Sequence, residues 1–164
     1  MIDEFVKLMV KHRYRQLQER TMTNPADEAA IAVVRRNTEE VQGKGNWEAF
    51  DELFADNFVD HTPQPGATPD KAGVAVLYQA LRTAFPDFHP DIQWQIAAGE
   101  LVTTYKIYRG TQAGPILGVA PTGRTVEFET VDVMKVVDGK ITDHWGVGNL
   151  LKMMVQLGAV TLNT

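Results

Sequence analysis

Apolar positions recur at three- and four-residue intervals through the first half of the chain and at every second residue through the second half. That change of period predicts helices followed by antiparallel strands. Ile2, Phe5, Val6, Met9 and Leu17 share a stripe over residues 2–20, and "TMTNPADEAA" then interrupts it. Asn24 followed by Pro25 is a helix-start signal, with Asp27 and Glu28 suited to the positive end of the helix dipole. Ala30, Val33, Val34, Asn37 and Val41 continue at helical spacing to "GKG". A short helix, "NWEAFDELFA", opens at Asn46 with Trp47, Phe50, Leu53 and Phe54 on its inner side. The stretch "DNFVDHTPQPGATPD" is dense in turn formers and is expected to be a structured loop. A further helix starts at or just after Pro69, carries Val74, Leu77, Tyr78, Leu81 and Phe85 on one side, and stops at "FPDF".

Beyond residue 90, Ile92, Trp94 and Ile96 alternate, Gly99-Glu100 makes a turn, and Leu101 to Arg109 forms a strand. "GTQAG" is a corner and "GVAPTGR" a loop. Thr125 to Val137 is a long strand joined through Asp138-Gly139 to a partner from Lys140 to about Val147. "LLKMMVQLG" closes the pattern as a short helix. Helices first and a meander second make an α+β plan. The break near residue 23 divides the chain into an N-terminal helical arm, 1–23, and a domain over 24–164.

Composition narrows the chemistry. Apolar residues make up 44% and charged residues 23% of 164, an ordinary globular balance. No run of 18 apolar residues is present, and the acidic Asp3 and Glu4 do not suit a signal peptide, so no membrane partner is expected and the cytoplasm is the default compartment. The absence of cysteine removes disulfides and thiolate chemistry. A net charge of −5 argues against a nucleic-acid surface, despite five basic against three acidic side chains in residues 1–20. Four scattered histidines give no metal spacing, and no phosphate loop, dinucleotide fingerprint or nucleophile elbow occurs.

Several motifs in order, "FVDHTPQPG", "AFPDF", Gly110-Thr111, "GVAPTGR", "VDGKI", His144-Trp145 and "QLG", make the stretch from about Glu28 to Gly158 resemble the SnoaL-like polyketide cyclases of the nuclear transport factor 2-like superfamily. The resemblance implies a cone, a strongly curved antiparallel sheet wrapped around three helices with a pocket at its open end. It implies an intramolecular aldol cyclisation with no metal or cofactor, using an acid/base Asp four residues after the tryptophan and the His of a "GTH" motif. The sheet's outer face commonly forms a dimer in that superfamily, so a homodimer is expected. Here Asn149 and Gln112 stand at the two catalytic positions. A primary amide has no usable pKa near neutrality and cannot take a proton from carbon.

Two other residues are therefore candidates for the acid/base role. Asp132 shares a strand face with Phe128, Met134 and Val136, where a carboxylate is either hydrogen-bonded or raised in pKa. His61, just before "TPQPG", is the second. Asn149, Gln112, Trp145, Trp94 and Tyr105 are candidates to bind the substrate, and His144, of opposite strand parity to Trp145, is expected to be structural or at an interface. The expected ligand is a small, largely apolar carbonyl compound, undergoing aldol, enolisation or isomerisation chemistry. The alternative is a non-catalytic binding or assembly module that has lost the family's base.

Overall fold

The computed structural model describes residues 24–162, so the helix expected over 2–20 and the boundary of the arm lie outside them. Helix α1 (Pro25–Arg36) begins where the capping signal predicts, with the Asn24 side chain accepting from the Ala26 amide. It runs on as a π-helical segment, Asn37–Gln42, in which Asn37, Thr38, Val41 and Gln42 are all buried. Asn46 caps α2 (Trp47–Leu53) by accepting from the Ala49 amide. Asp70 does the same for α3 (Lys71–Ala84) through the Gly73 amide.

The expected loop after α2 is a strand in its first third. Phe54–Asp60 forms β1, which pairs in parallel with the edge of the sheet. Its burial is irregular and its register slips between Phe54 and Val59, so no alternation marks it in the sequence. The remaining strands are β2 (His89–Ala98), β3 (Leu101–Thr111), β4 (Thr125–Val137) and β5 (Lys140–Gly148), followed by helix α4 (Leu150–Gln156). They form one curved open sheet in the order β1-β5-β4-β3-β2, antiparallel except at β1. The β4–β5 turn has positive φ at both Asp138 and Gly139, the geometry a tight two-residue hairpin needs. None of the described helices is long and apolar enough to cross a membrane.

Two apolar clusters fill the concave side. One joins Val34, Val41, Phe50, Phe54 and Tyr78 to Val102 and Met134 of the sheet. The other joins Phe85, Phe88 and Met153 to Tyr108, Val126 and Phe128. Each fully buried aromatic or aliphatic side chain stabilises such a core by about 1.5–3 kcal/mol. Between the clusters the sheet is left uncovered, and a pocket opens there.

Two bulges decide which side chains face that pocket. Ile141 is fully buried, and unbroken alternation would send Asp143, Trp145 and Val147 inward with it. The β4–β5 register shifts around Thr142, so His144, Gly146 and Gly148 face inward instead. A second shift at Gln93 accompanies an outward-facing Trp94 and Ile96, which are 46% and 51% exposed. The apolar alternation of β2 therefore marks the convex face.

Candidate functional site

The pocket is apolar over most of its wall and charged at one place. Phe54, Phe58, Leu77, Leu81, Phe128 and Met153 contribute the apolar wall. The charged place is built from strand ends and register. Asp60, the last residue of β1, lies opposite His144 of β5, and His144 lies beside β4 near Asp132. His144 Nδ1 is 2.9 Å from Asp60 Oδ1, and its Nε2 is 3.7 Å from Asp132 Oδ1. All three line the pocket.

Behind this trio sits Lys106, fully buried on β3, with its ammonium paired to Asp132. The ammonium also donates to Gln42 Oε1 at 3.2 Å, and the Tyr108 hydroxyl donates to the same oxygen at 3.0 Å. Gln42 Nε2 donates to the Tyr78 hydroxyl at 2.8 Å, which Asn37 Nδ2 reaches at 3.3 Å. The π-turn makes this possible, because its wider coil lets Asn37 and Gln42, five residues apart, reach one tyrosine. Thr130, between Asp132 and Phe128 on the same face, has a buried hydroxyl oxygen with no protein partner.

Gly146 permits the contact between imidazole and carboxylate. A Cβ there would lie 2.7 Å from His144 Nε2 and 3.0 Å from Asp132 Oδ1. Its amide donates to the Thr62 hydroxyl at 2.7 Å, and the Thr62 amide donates to Asp60 Oδ1 at 3.0 Å, tying the 61–70 loop to the site.

These contacts set the charge states. Burial disfavours a charged His144, but the hydrogen bonds and negative charges of Asp132 and Asp60 outweigh it and raise its pKa to about 9. Burial likewise works against ionised Asp132, yet Lys106 and His144 bring it down to about 2. Asp60 is also lowered, burial being overcome by His144 and Thr62. At neutral pH the pocket thus holds an imidazolium between two carboxylates, with an ammonium behind one of them. Among the described residues no cluster of three or more histidine or acidic side chains has metal-holding geometry.

Of the candidates from sequence, Asp132 alone lines the pocket. The His61 ring stacks on Trp145 at 4.3 Å, and its Nε2 is 2.8 Å from Asp143 Oδ1, both partners belonging to the outward set of β5. Trp94 and Tyr105 pack together on the convex face, with ring centroids 5.7 Å apart. Asn149 is exposed at the start of α4, where Oδ1 accepts from the Lys152 amide and Nδ2 donates to Glu129. A carboxylate at that position would face Glu129 rather than an apolar wall.

Gln112 is fully buried as a brace of the loop from 112 to 124. Its amide donates to the Val119 and Ala120 carbonyls, and its oxygen accepts from the Thr122 amide and hydroxyl. A neutral imidazole has one donor and could not serve both carbonyls. Sequence reasoning set His144 aside and did not single out Asp60, Lys106, Gln42, Tyr78 or Thr130. The available signal was cross-strand parity: Lys106 shares a face with Val102 and Tyr108 and lies where it can meet Asp132.

Residues 32–157 match the family model of the SnoaL-like polyketide cyclases. The nogalonic acid methyl ester cyclase of Streptomyces nogalater is 37% identical over 60 residues, which is 37% of this chain and 45% of that protein. The aligned stretch therefore spans less than half of this relative. IdmH of Streptomyces antibioticus is 30% identical with a TM-score of 0.70, over 79% of this chain and 98% of that one. TsrD of Streptomyces laurentii reaches a TM-score of 0.74 at 20% identity, over 81% and 97%, a likeness of fold alone.

Proposed function

Since the chain belongs to the SnoaL-like polyketide cyclase family, we propose that it takes a small, largely apolar carbonyl compound into the concave pocket and performs cofactor-independent acid–base chemistry on it. The observation that carries this reading is the His144 ring, held between the carboxylates of Asp60 and Asp132 in an otherwise apolar wall. In that setting a charged donor stabilises negative charge developing on a carbonyl oxygen, and few waters compete with it. Asp132 is the candidate to accept the carbon-bound proton. A carboxylate held near a pKa of about 2 is a weak base, so the carbon acid has to be acidified by its own substituents. That condition selects carbons flanked by two carbonyls, as in keto esters, over simple ketones.

A second reading, a binding or assembly module without catalysis, is favoured by one observation: Lys106 pairs with Asp132, the candidate base. The named substrate of the nogalonic acid methyl ester cyclase supplies a probe for both. Incubation of that ester with the protein is expected to give a product of unchanged mass and altered retention. Saturable binding without conversion supports the module, and neither binding nor conversion across a panel of aromatic keto esters removes the substrate class.

The convex face is the proposed site of a second copy of the chain. Trp94, Tyr105, Val131 and Val147 lie opposite one another in a row across β2, β3, β4 and β5, and Ile96, Thr103, Val133 and Trp145 form the next row. Val147 is 73% exposed. Apolar surface this continuous favours burial against a partner. Native mass measurement at micromolar concentration should give twice the 18.3 kDa chain mass, and Val147→Asp with Val131→Lys should give the single chain. A wild-type monomer would count against the interface.

A further inference from the structure

The loop between β3 and β4 carries a strained residue at the pocket. Ile116 and Val119 exchange both backbone hydrogen bonds, 3.1 and 2.8 Å, around a two-residue turn. Both turn residues have positive φ, 47° at Leu117 and 79° at Gly118. This is the primed turn in which asparagine, aspartate or glycine normally occupies the first place. Leucine there bears the left-handed strain that a Cβ imposes. Its side chain does not offset that strain by burial, because Leu117 is 53% exposed, yet it lines the pocket.

The turn is braced on both sides. The Ala113 and Gly114 amides donate to the Ala84 carbonyl at the end of α3. Gln112 holds Val119, Ala120 and Thr122. A tip held this way contacts a ligand without a large loss of loop entropy. Ile116 packs with Phe128, Val126 and Met153, so the turn stands at the apolar end of the pocket, away from His144 and Asp132. Asp132 and Phe128 are four residues apart on β4, which at about 3.3 Å per residue separates the two ends by about 13 Å.

We infer that Leu117 is the residue that caps the apolar body of the ligand and sets the length of molecule the pocket accepts. The inference rests on the pocket being the ligand site, as proposed above. A ligand with its carbonyl at His144 extends its rings toward Phe128, and the Leu117 side chain covers their far end. Compounds that end short of the turn gain nothing from it. Burying this exposed side chain on binding is what retains a leucine where asparagine would fit the backbone better.

The test uses Leu117→Asn, which suits the turn, and Leu117→Gly, which removes the side chain outright. Two neutral ketones serve as probes: 6-propionyl-2-dimethylaminonaphthalene, followed by its fluorescence shift, and acetophenone, followed by ligand-observed NMR. Leu117→Asn should raise the melting temperature by about 2–4 °C through relief of the backbone. Both variants should bind the naphthalene ketone about tenfold more weakly and acetophenone unchanged. Stability gained while affinity for the longer ketone alone is lost is the expected signature. Equal affinity for the naphthalene ketone in wild type and variants overturns the cap and leaves the pocket reading standing. Failure of the wild type to bind either ketone overturns the pocket reading and the cap with it. Equal weakening toward both ketones, or a lower melting temperature for Leu117→Asn, makes the turn merely structural and overturns the proposal.

Discussion

Asp132→Asn is expected to destabilise the protein by about 3–5 kcal/mol, the cost of leaving a buried charge without its partner. Lys106 is fully buried, and Asp132 is its carboxylate counterion. The Gln42 and Tyr108 contacts that remain offer a dipole and a ring face, at 3.2 and 5.3 Å from the ammonium, but no charge. The ammonium would have to stay charged in apolar surroundings or release its proton, and both are unfavourable. Lys106→Met in the same background removes the orphaned charge, so the double variant should recover most of the loss. Denaturant unfolding of the wild type, both single variants and the double variant at pH 7 gives the coupling directly. If Asp132→Asn and the double variant are equally destabilised, the pair contributes through shape alone. Conversion of the keto ester should be lost in the double variant even where its fold has recovered, since the candidate base is still an amide.

The second large effect is a fall in stability on the alkaline side. His144 has a folded-state pKa of about 9 against an ordinary 6.5; burial opposes the charge, and Asp132 and Asp60 outweigh it. A raised pKa means the folded state holds the proton more tightly than the unfolded chain. Its contribution is complete below pH 6.5 and fades as pH rises through about 9. Asp60 and Asp132 are lowered, so theirs is present above 3.8 and fades as pH falls through the lowered values, toward about 2 for Asp132. These three groups place maximal stability between 3.8 and 6.5. The unfolding free energy should drop by up to about 3 kcal/mol between pH 6.5 and 9 in the wild type. His144→Asn should flatten that slope. Gly146→Ala, which puts a methyl group against the ring, should flatten it partly without removing the imidazole. An unchanged slope in His144→Asn would place the titrating group elsewhere.

Much of the fold could be read because its signals are local. Asn24, Asn46 and the Asp138-Gly139 pair each cap or turn the chain through their own backbone and side chain. The strand β1 escaped because its pairing is parallel, short and slipped, leaving no alternation to read. The site was less legible for a related reason. Asp132 stood out as a carboxylate on an apolar face, but which face of β5 it meets depends on one extra residue near Thr142. That bulge turns Trp145 outward and His144 inward; Gly146 and Gly148 in "ITDHWGVG" suggest a bulge, but it lies upstream of them, at Thr142. Lys106 and Asp60 look like surface charges in a linear reading. Their burial follows from partners 26 and 84 residues away, Asp132 and His144.

The π-turn from Asn37 to Gln42 has a consequence for how this chain tolerates gain and loss of codons. Deleting one residue between Thr38 and Val41 would let the coil relax into a continuous α-helix, with downstream reading unchanged. In an α-helix each residue advances about 100° around the axis, so Asn37 and Gln42, then four residues apart, would lie about 40° from one another on the same face. Both side chains would still point toward Tyr78. Gln42 would keep its place as the acceptor that Lys106 and Tyr108 share. The loss of one residue is absorbed at this turn, whereas the same loss within Pro25–Arg36 would rotate one flank of the helix by about 100° against the other.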